Sequence, residues 1–140
     1  MKICPCGSMQ AYKTCCAPFH KGVLPKTALE LMRSRYSAYA LHLPDYIIET
    51  THLDSPFFLK DPLIWRREIT EFCLHTRFEK LEILHTEEKE DKGTVIFRAH
   101  LFQGDNNVSF QEDSSFLKVN GKWLYFKGSV SPFKPIGFTL

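Results

Sequence analysis

The chain has 140 residues, enough for one domain with a single core plus a small appendage. Its composition, 44% apolar and 24% charged, is that of a soluble globule, and no apolar run approaches the roughly eighteen residues of a membrane span. A net charge of +2 is too small to argue for nucleic-acid binding on its own.

Four of the five cysteines fall within the first sixteen residues: Cys4, Cys6, Cys15 and Cys16, a C-x-C pair and a C-C pair separated by eight residues. Thiols this close, with a Gly-Ser turn after the first pair, can converge on one tetrahedral cation. Zinc suits four thiolates at about 2.3 Å, and such a closed site is structural because no coordination position stays open. Two disulfides are the alternative for a secreted chain. Against them, Met1-Lys2-Ile3 runs straight into the cysteines with no apolar targeting segment, a Cys15–Cys16 bridge needs a strained ring, and Cys73 is left over. The spacing therefore predicts one structural Zn2+ and a reduced, cytoplasmic protein. A zinc tetrathiolate adds a local charge of about −2, with Lys2, Lys13, His20 and Lys21 nearby to offset it.

After a link from Pro18 to Pro25, Thr27 and Glu30 form a capping box at the start of a helix. Leu31, Met32, Tyr36, Tyr39, Ala40 and Leu43 recur along it at helical spacing, and Pro44 ends or kinks it. Asp45 to Glu49 suggests a second short helix, and Thr51 to Pro62 a loop. Leu63 to Cys73 predicts a third helix, with Leu63, Ile64, Ile69, Phe72 and Cys73 as its apolar positions. Beyond His75 the texture becomes β-branched and aromatic, predicting strands at 78–86, 94–103, 108–119 and 122–130. The Asn120-Gly121 pair between the last two is a two-residue hairpin signal, since both residues tolerate positive φ. Helices first and an antiparallel meander afterwards argue for an α+β fold, helices packed on one face of a curved sheet.

The cysteine segment resembles the SEC-C motif, the zinc knuckle at the end of the SecA preprotein translocase ATPase. Cys4-Pro5-Cys6-Gly7-Ser8, Tyr12, Cys15 and Cys16 all match its pattern. Met9 departs from it: the motif has a glycine there, and positive φ at that position would strain a methionine. Together with L-M-R-S-R-Y-S-A-Y at 31–39, T-x-H at 50–52, E-x-S-x-F at 112–116 and N-G-K-W-x-Y at 120–125, the chain resembles the bacterial YchJ family. That resemblance implies a knuckle and linker over 1–24 and, over 25–140, a cone like that of nuclear transport factor 2 and ketosteroid isomerase. Many YchJ relatives carry a second SEC-C motif at the C-terminus; here the chain ends S-P-F-K-P-I-G-F-T-L, so one zinc per chain is expected.

A curved sheet closed by helices leaves a cavity, and its candidate lining residues are Arg35, Tyr39, His52, His100 and Glu112. Positions 32, 35/36 and 39 share one side of the first long helix. Strand alternation groups Arg98, His100 and Phe102, then Glu112, Ser114 and Phe116, then Trp123 and Tyr125. His52 is expected at the cavity mouth, and His100 opposite Glu112 as an acid–base pair. Each has a plainer reading: Arg33 and Arg35 as a solvated or ion-paired helix face, the tyrosines and Trp123 as core aromatics, His52 as a packing residue, Cys73 as a small hydrophobe.

No phosphate-binding loop, dinucleotide fingerprint, serine elbow or zincin motif is present. The functional expectation is an adaptor that presents the knuckle to a protein partner, by resemblance to the SecA tail a chaperone or ribosome-associated factor. The alternative is a small-molecule-binding, isomerase- or hydrolase-type pocket in the cone. A nucleic-acid partner would want a larger basic footprint.

Overall fold

A computed structural model describes residues 2–132. The cysteine-free stretch 133–140 lies outside the described residues. A 3₁₀ turn at Tyr12–Thr14 leads into a one-turn helix α1 (Ala17–His20), followed by α2 (Ala28–Ala40), α3 (Pro44–Glu49) and α4 (Pro62–Leu74). The strands are β1 (Arg77–Lys89), β2 (Lys92–Gln103), β3 (Asn106–Asn107), β4 (Phe110–Val119) and β5 (Lys122–Pro132). This is the helices-then-meander α+β order expected.

Thr27 caps α2 by accepting from the Glu30 amide at 3.0 Å, while the Glu30 carboxylate reaches back to the Lys26 amide at 2.7 Å. Helix α2 stops at Ala40, short of Leu43, because His42 takes a left-handed φ of 60° and the Leu43 amide closes on the Ala38 carbonyl at 2.8 Å. Pro44 neither ends nor kinks that helix; it sits in the first turn of α3, where its missing N–H costs nothing. Asp61 caps α4 through the Leu63 and Ile64 amides. On α4 the buried side chains are Trp65, Ile69 and Cys73, spaced four apart on one face; Leu63, Ile64 and Phe72, three of its expected apolar positions, lie off that stripe and are exposed.

All pairings in the sheet are antiparallel, in the order β1-β2-β4-β5, with β3 against the end of β2. The Asn120-Gly121 hairpin has the positive φ values, 51° and 81°, that its sequence requires. The strand expected over 108–119 begins two residues later, at Phe110, and a two-residue strand precedes it. Asn106–Asn107 pair with Phe102 and Gln103, and then the Ser109 hydroxyl, not a backbone group, accepts from the Leu101 amide at 3.0 Å before β4 begins. Register shifts at Phe78/Lys80, Ile83/His85 and Ser115/Phe116 bend the sheet. Helix α2 lies in the resulting concavity, where Leu31, Met32 and Tyr36 pack on Val95, Phe97 and Phe116. A second cluster, built on Ala38, Ile47, Trp65, Ile69 and Cys73, joins α2, α3 and α4. Burial pushes the Cys73 thiol up to about 11, which leaves it a small inert hydrophobe.

Candidate metal centre and cavity

The cysteine segment folds as a bracket. The Cys4 amide bonds to the Gln10 carbonyl at 2.8 Å and the Tyr12 amide to the Lys2 carbonyl at 2.9 Å, so the C-x-C turn and the C-C turn face each other. The four Sγ atoms of Cys4, Cys6, Cys15 and Cys16 all lie within 4.8 Å of one another, with Cys6–Cys15 at 3.5 Å and Cys15–Cys16 at 3.9 Å. Zn–S bonds of about 2.3 Å in a tetrahedron set sulfurs about 3.8 Å apart, so the donor set fits such an ion. All four cysteines are free thiols. Ser8 Oγ sits 3.1 Å from Cys15 Sγ. The Cys6 thiol is drawn down to about 4, chiefly by hydrogen bonding from Cys16, while burial pushes Cys15 up to about 11. Cys16 is also raised, first by its hydrogen bond to Cys6 and then by burial. The thiols thus oppose one another's ionisation, and a divalent cation among them would favour the thiolate form of all four. Met9 takes φ 66°, the left-handed conformation for which the motif uses glycine, and its side chain is exposed.

The bracket is fastened to α2. Arg33 Nη1 donates to the Cys6 carbonyl at 2.7 Å. His20 Nε2 donates to the Ser34 carbonyl at 2.8 Å, which leaves Nδ1 to accept from the Tyr12 hydroxyl at 2.8 Å. Burial lowers the His20 pKa, consistent with this neutral ring, whose edge also meets the Tyr46 ring at 4.8 Å. Gly7 permits the approach: a β-carbon there would lie 2.7 Å from the Leu81 carbonyl oxygen. Sequence reasoning took His20 as a charge near the metal and Arg33 as a helix-face residue, and both turn out to be fasteners. The available signal was spacing: His20 ends the single turn of α1 that starts immediately after Cys16.

Between α2, α3, α4 and the sheet lies a cavity of about 390 Å³, largely apolar, with Arg35, Tyr39, Glu112 and Tyr125 among its lining. Arg35 is 6% exposed. Its Nη1 donates to the Ile47 carbonyl at 3.1 Å and to the Thr50 and Thr51 hydroxyls at 2.8 and 3.2 Å, and its Cζ lies 4.7 Å from the Tyr125 ring centre. Glu112 Oε2 accepts from the Tyr125 hydroxyl at 3.0 Å and from the Ser114 hydroxyl. Gly128, opposite Ser114, makes room for this group, since a β-carbon there would collide with the Glu112 carboxylate. Burial raises the Tyr39 and Tyr125 phenols, so both remain protonated donors, and the nearby Glu112 charge adds to the effect.

His52 and His100 do not join this group. The His52 amide donates to the Tyr125 carbonyl at 2.8 Å, its Nδ1 accepts from the Asp54 amide, and its ring meets Phe126 edge-on at 5.5 Å. The T-x-H segment is a clip: with the Tyr125 amide on the Thr50 carbonyl, it ties the end of α3 to β5. His100 projects from the opposite face of β2 and pairs with Glu82 at 2.6 Å, not with Glu112, whose partner on β2 is Phe97. The even-numbered residues of β2, Arg98 and Phe102 included, are those turned from the core. Trp123 lies in the core, its indole N–H on the Lys26 carbonyl at 3.2 Å.

Residues 27–128 match the family model described as YchJ, middle NTF2-like domain. A UPF0225 protein of Haemophilus influenzae is 38% identical over 134 residues, covering 94% of this chain and 80% of that protein. Among solved structures, a SEC-C motif containing protein from Rhodopseudomonas palustris superposes with a TM-score of 0.76 at 34% identity, over 91% of this chain and 98% of that one. Another from Psychrobacter arcticus gives 0.76 at 25% identity, over 96% and 86%. Both neighbours are SEC-C motif containing proteins that share this fold, and with the family model matched over residues 27–128 the chain belongs to the YchJ family.

Proposed function

We propose that this protein is a zinc-stapled binding protein for a small molecule with an apolar body, held in the cone. The observation that carries the reading is the cavity of about 390 Å³, in which the candidates Arg35, Tyr39 and Glu112, drawn from two distant parts of the sequence, meet inside an otherwise apolar lining. Its volume falls in the usual range of about 300–1,000 Å³ for ligand sites, and few polar groups in an apolar wall is their usual make-up. Binding fits better than proton-transfer catalysis: among the described residues no histidine lines the cavity, and the two histidine candidates are engaged elsewhere.

The role of zinc is structural. A segment of about twenty residues buries too little surface to fold alone, so an ion bound by the four thiolates supplies the missing free energy. Through Arg33 and His20 the folded knuckle braces α2, the helix that carries Arg35 and Tyr39 on its other side. No helix among the described residues is long and apolar enough to cross a membrane. Free thiols favour the cytoplasm as the working compartment.

The test is an amide-resolved titration with indole, a neutral apolar probe. Saturable shifts at Ala99, Leu101 and Tyr125, lost in Val130→Trp, support the reading; Val130 lies at the exposed rim of the cavity and its substitution blocks entry without touching the core. Absence of saturable shifts overturns it. A second reading, an adaptor that docks a protein such as a chaperone or ribosome-associated factor, is favoured by the exposed Ile3 and Met9 side chains on the knuckle. It requires that Cys4→Ser with Cys15→Ser lose partners that the wild type captures; retention of the same partners sinks it.

A further inference from the structure

Arg35 lines the cavity with a guanidinium that its neighbours satisfy only in part; the Tyr36 hydroxyl, also on the lining, is buried with no hydrogen-bond partner among the described residues. Arg35 is 6% exposed, yet none of the ion pairs among the described residues includes it. All three of its hydrogen bonds leave from Nη1 toward neutral oxygens at the end of α3. Nε and Nη2 have no hydrogen-bond partner among the described residues, although the side chain lines the cavity. A buried guanidinium normally finds an anion, because the desolvation of a charge is repaid only by a counter-charge or a full set of acceptors. Two free N–H groups on one planar fork match a carboxylate in bidentate geometry.

The rest of the lining restricts what may carry that anion. Glu112 is negative, but its Oε2 is already held by the Tyr125 and Ser114 hydroxyls, and no ion pair among the described residues joins it to Arg35. Glu68 belongs to the exposed part of α4, where water screens it. Met32, Ile69, Phe97 and Leu101 offer only apolar contact. We infer that the cavity takes a small monocarboxylate with an apolar or aromatic body, its carboxylate seated on the Nε/Nη2 edge of Arg35 and its body against the sheet. This rests on the cavity reading above and adds the charge of the ligand to it.

The experiment titrates zinc-loaded wild-type protein with three probes of one shape: phenylacetate, phenylacetamide and phenethylamine, followed by amide shifts and by the Arg35 Nε–Hε resonance. The expected result is a downfield movement of that Hε signal with phenylacetate and an affinity about tenfold above that of the amide, the worth of a charge-assisted hydrogen bond over a neutral one. The amide or the amine binding as tightly as the acid overturns the inference and leaves the cavity reading intact. No saturable binding of any of the three, or of indole, overturns both. Because Arg35 also caps α3, loss of binding in Arg35→Gln counts in favour only where its circular dichroism matches the wild type; if that variant stays folded and binds the acid undiminished, the inference falls.

Discussion

The guanidinium of Arg33 is bonded to the carbonyl of Cys6 at 2.7 Å, across 27 residues of chain. One end of this bond belongs to a thiol donor, and the other to the helix that faces the cavity. A cation donating to a carbonyl is among the stronger hydrogen bonds, worth about 1.5–3 kcal/mol. Arg33→Leu is therefore expected to release metal at least roughly tenfold more readily to a competing chelator. Release at the wild-type level would show that the knuckle holds its ion without help from α2.

Chelation is expected to act in two zones. Residues 2–20 lose their dispersed amide spectrum as the knuckle unfolds, and α2 shifts at Arg33, Ser34 and Ser37, the positions that meet Cys6 and His20. The strands β2, β4 and β5 keep their spectrum because their core contains no knuckle residue. A nuclear magnetic resonance titration with a chelator checks both zones at once.

Met9 holds a backbone conformation that costs a non-glycine residue about 1–2 kcal/mol, and its exposed side chain recovers little by packing. Met9→Gly is expected to strengthen the knuckle by about 1 kcal/mol, less the entropy that glycine loses on folding, and to slow metal release several-fold. Were the variant to release metal faster, Met9 would have a contact of its own that outweighs the strain.

The pair on the outer face of the sheet sets part of the acid limb of stability. The hydrogen bond from His100 holds the Glu82 carboxyl below its ordinary value of 4.5. The folded protein therefore binds this proton later than the unfolded chain does. Its contribution is complete above the ordinary value and disappears as pH falls through the lower, folded one. Urea midpoints measured from about pH 6 down to about pH 3 should fall less steeply in Glu82→Gln than in wild type.

Gly128 tests the packing around the carboxylate. Gly128→Ala is expected to displace Glu112 from the Tyr125 and Ser114 hydroxyls and to destabilise the fold by about 1–3 kcal/mol, the cost of overpacking a filled site. Thermal unfolding beside Gly104→Ala, at a turn with open space, gives the comparison. Gly104 has φ 63° and Gly128 has no left-handed φ, so the loss in Gly104→Ala reports backbone strain alone and that in Gly128→Ala the collision alone.

Much of this was visible in the chain. The capping box at Thr27, the hairpin at Asn120-Gly121 and the convergence of four cysteines follow from local rules, because each depends on residues a few positions apart. The alternation of β4 placed Glu112 and Phe116 on the face turned to the core for the same reason. What alternation does not reveal is which face of a strand looks inward, and His100 was assigned to the cavity for want of that. His52 was misplaced because its role is made by backbone bonds to Tyr125, 73 residues away, which no side-chain pattern records. Arg33 and Arg35, two positions apart on one helix, point to opposite duties for the same reason: the partners, Cys6 on one side and Thr50 and Thr51 on the other, come from separate segments.

Whether the four clustered sulfurs hold a single ion is tested most directly by native mass spectrometry of freshly purified, reduced protein. The expected spectrum shows the chain plus one zinc, the Zn2+ replacing two protons in the mass of each charge state relative to the acid-stripped form. A spectrum of the metal-free chain, or of one carrying two disulfides in place of the ion, would contradict the account.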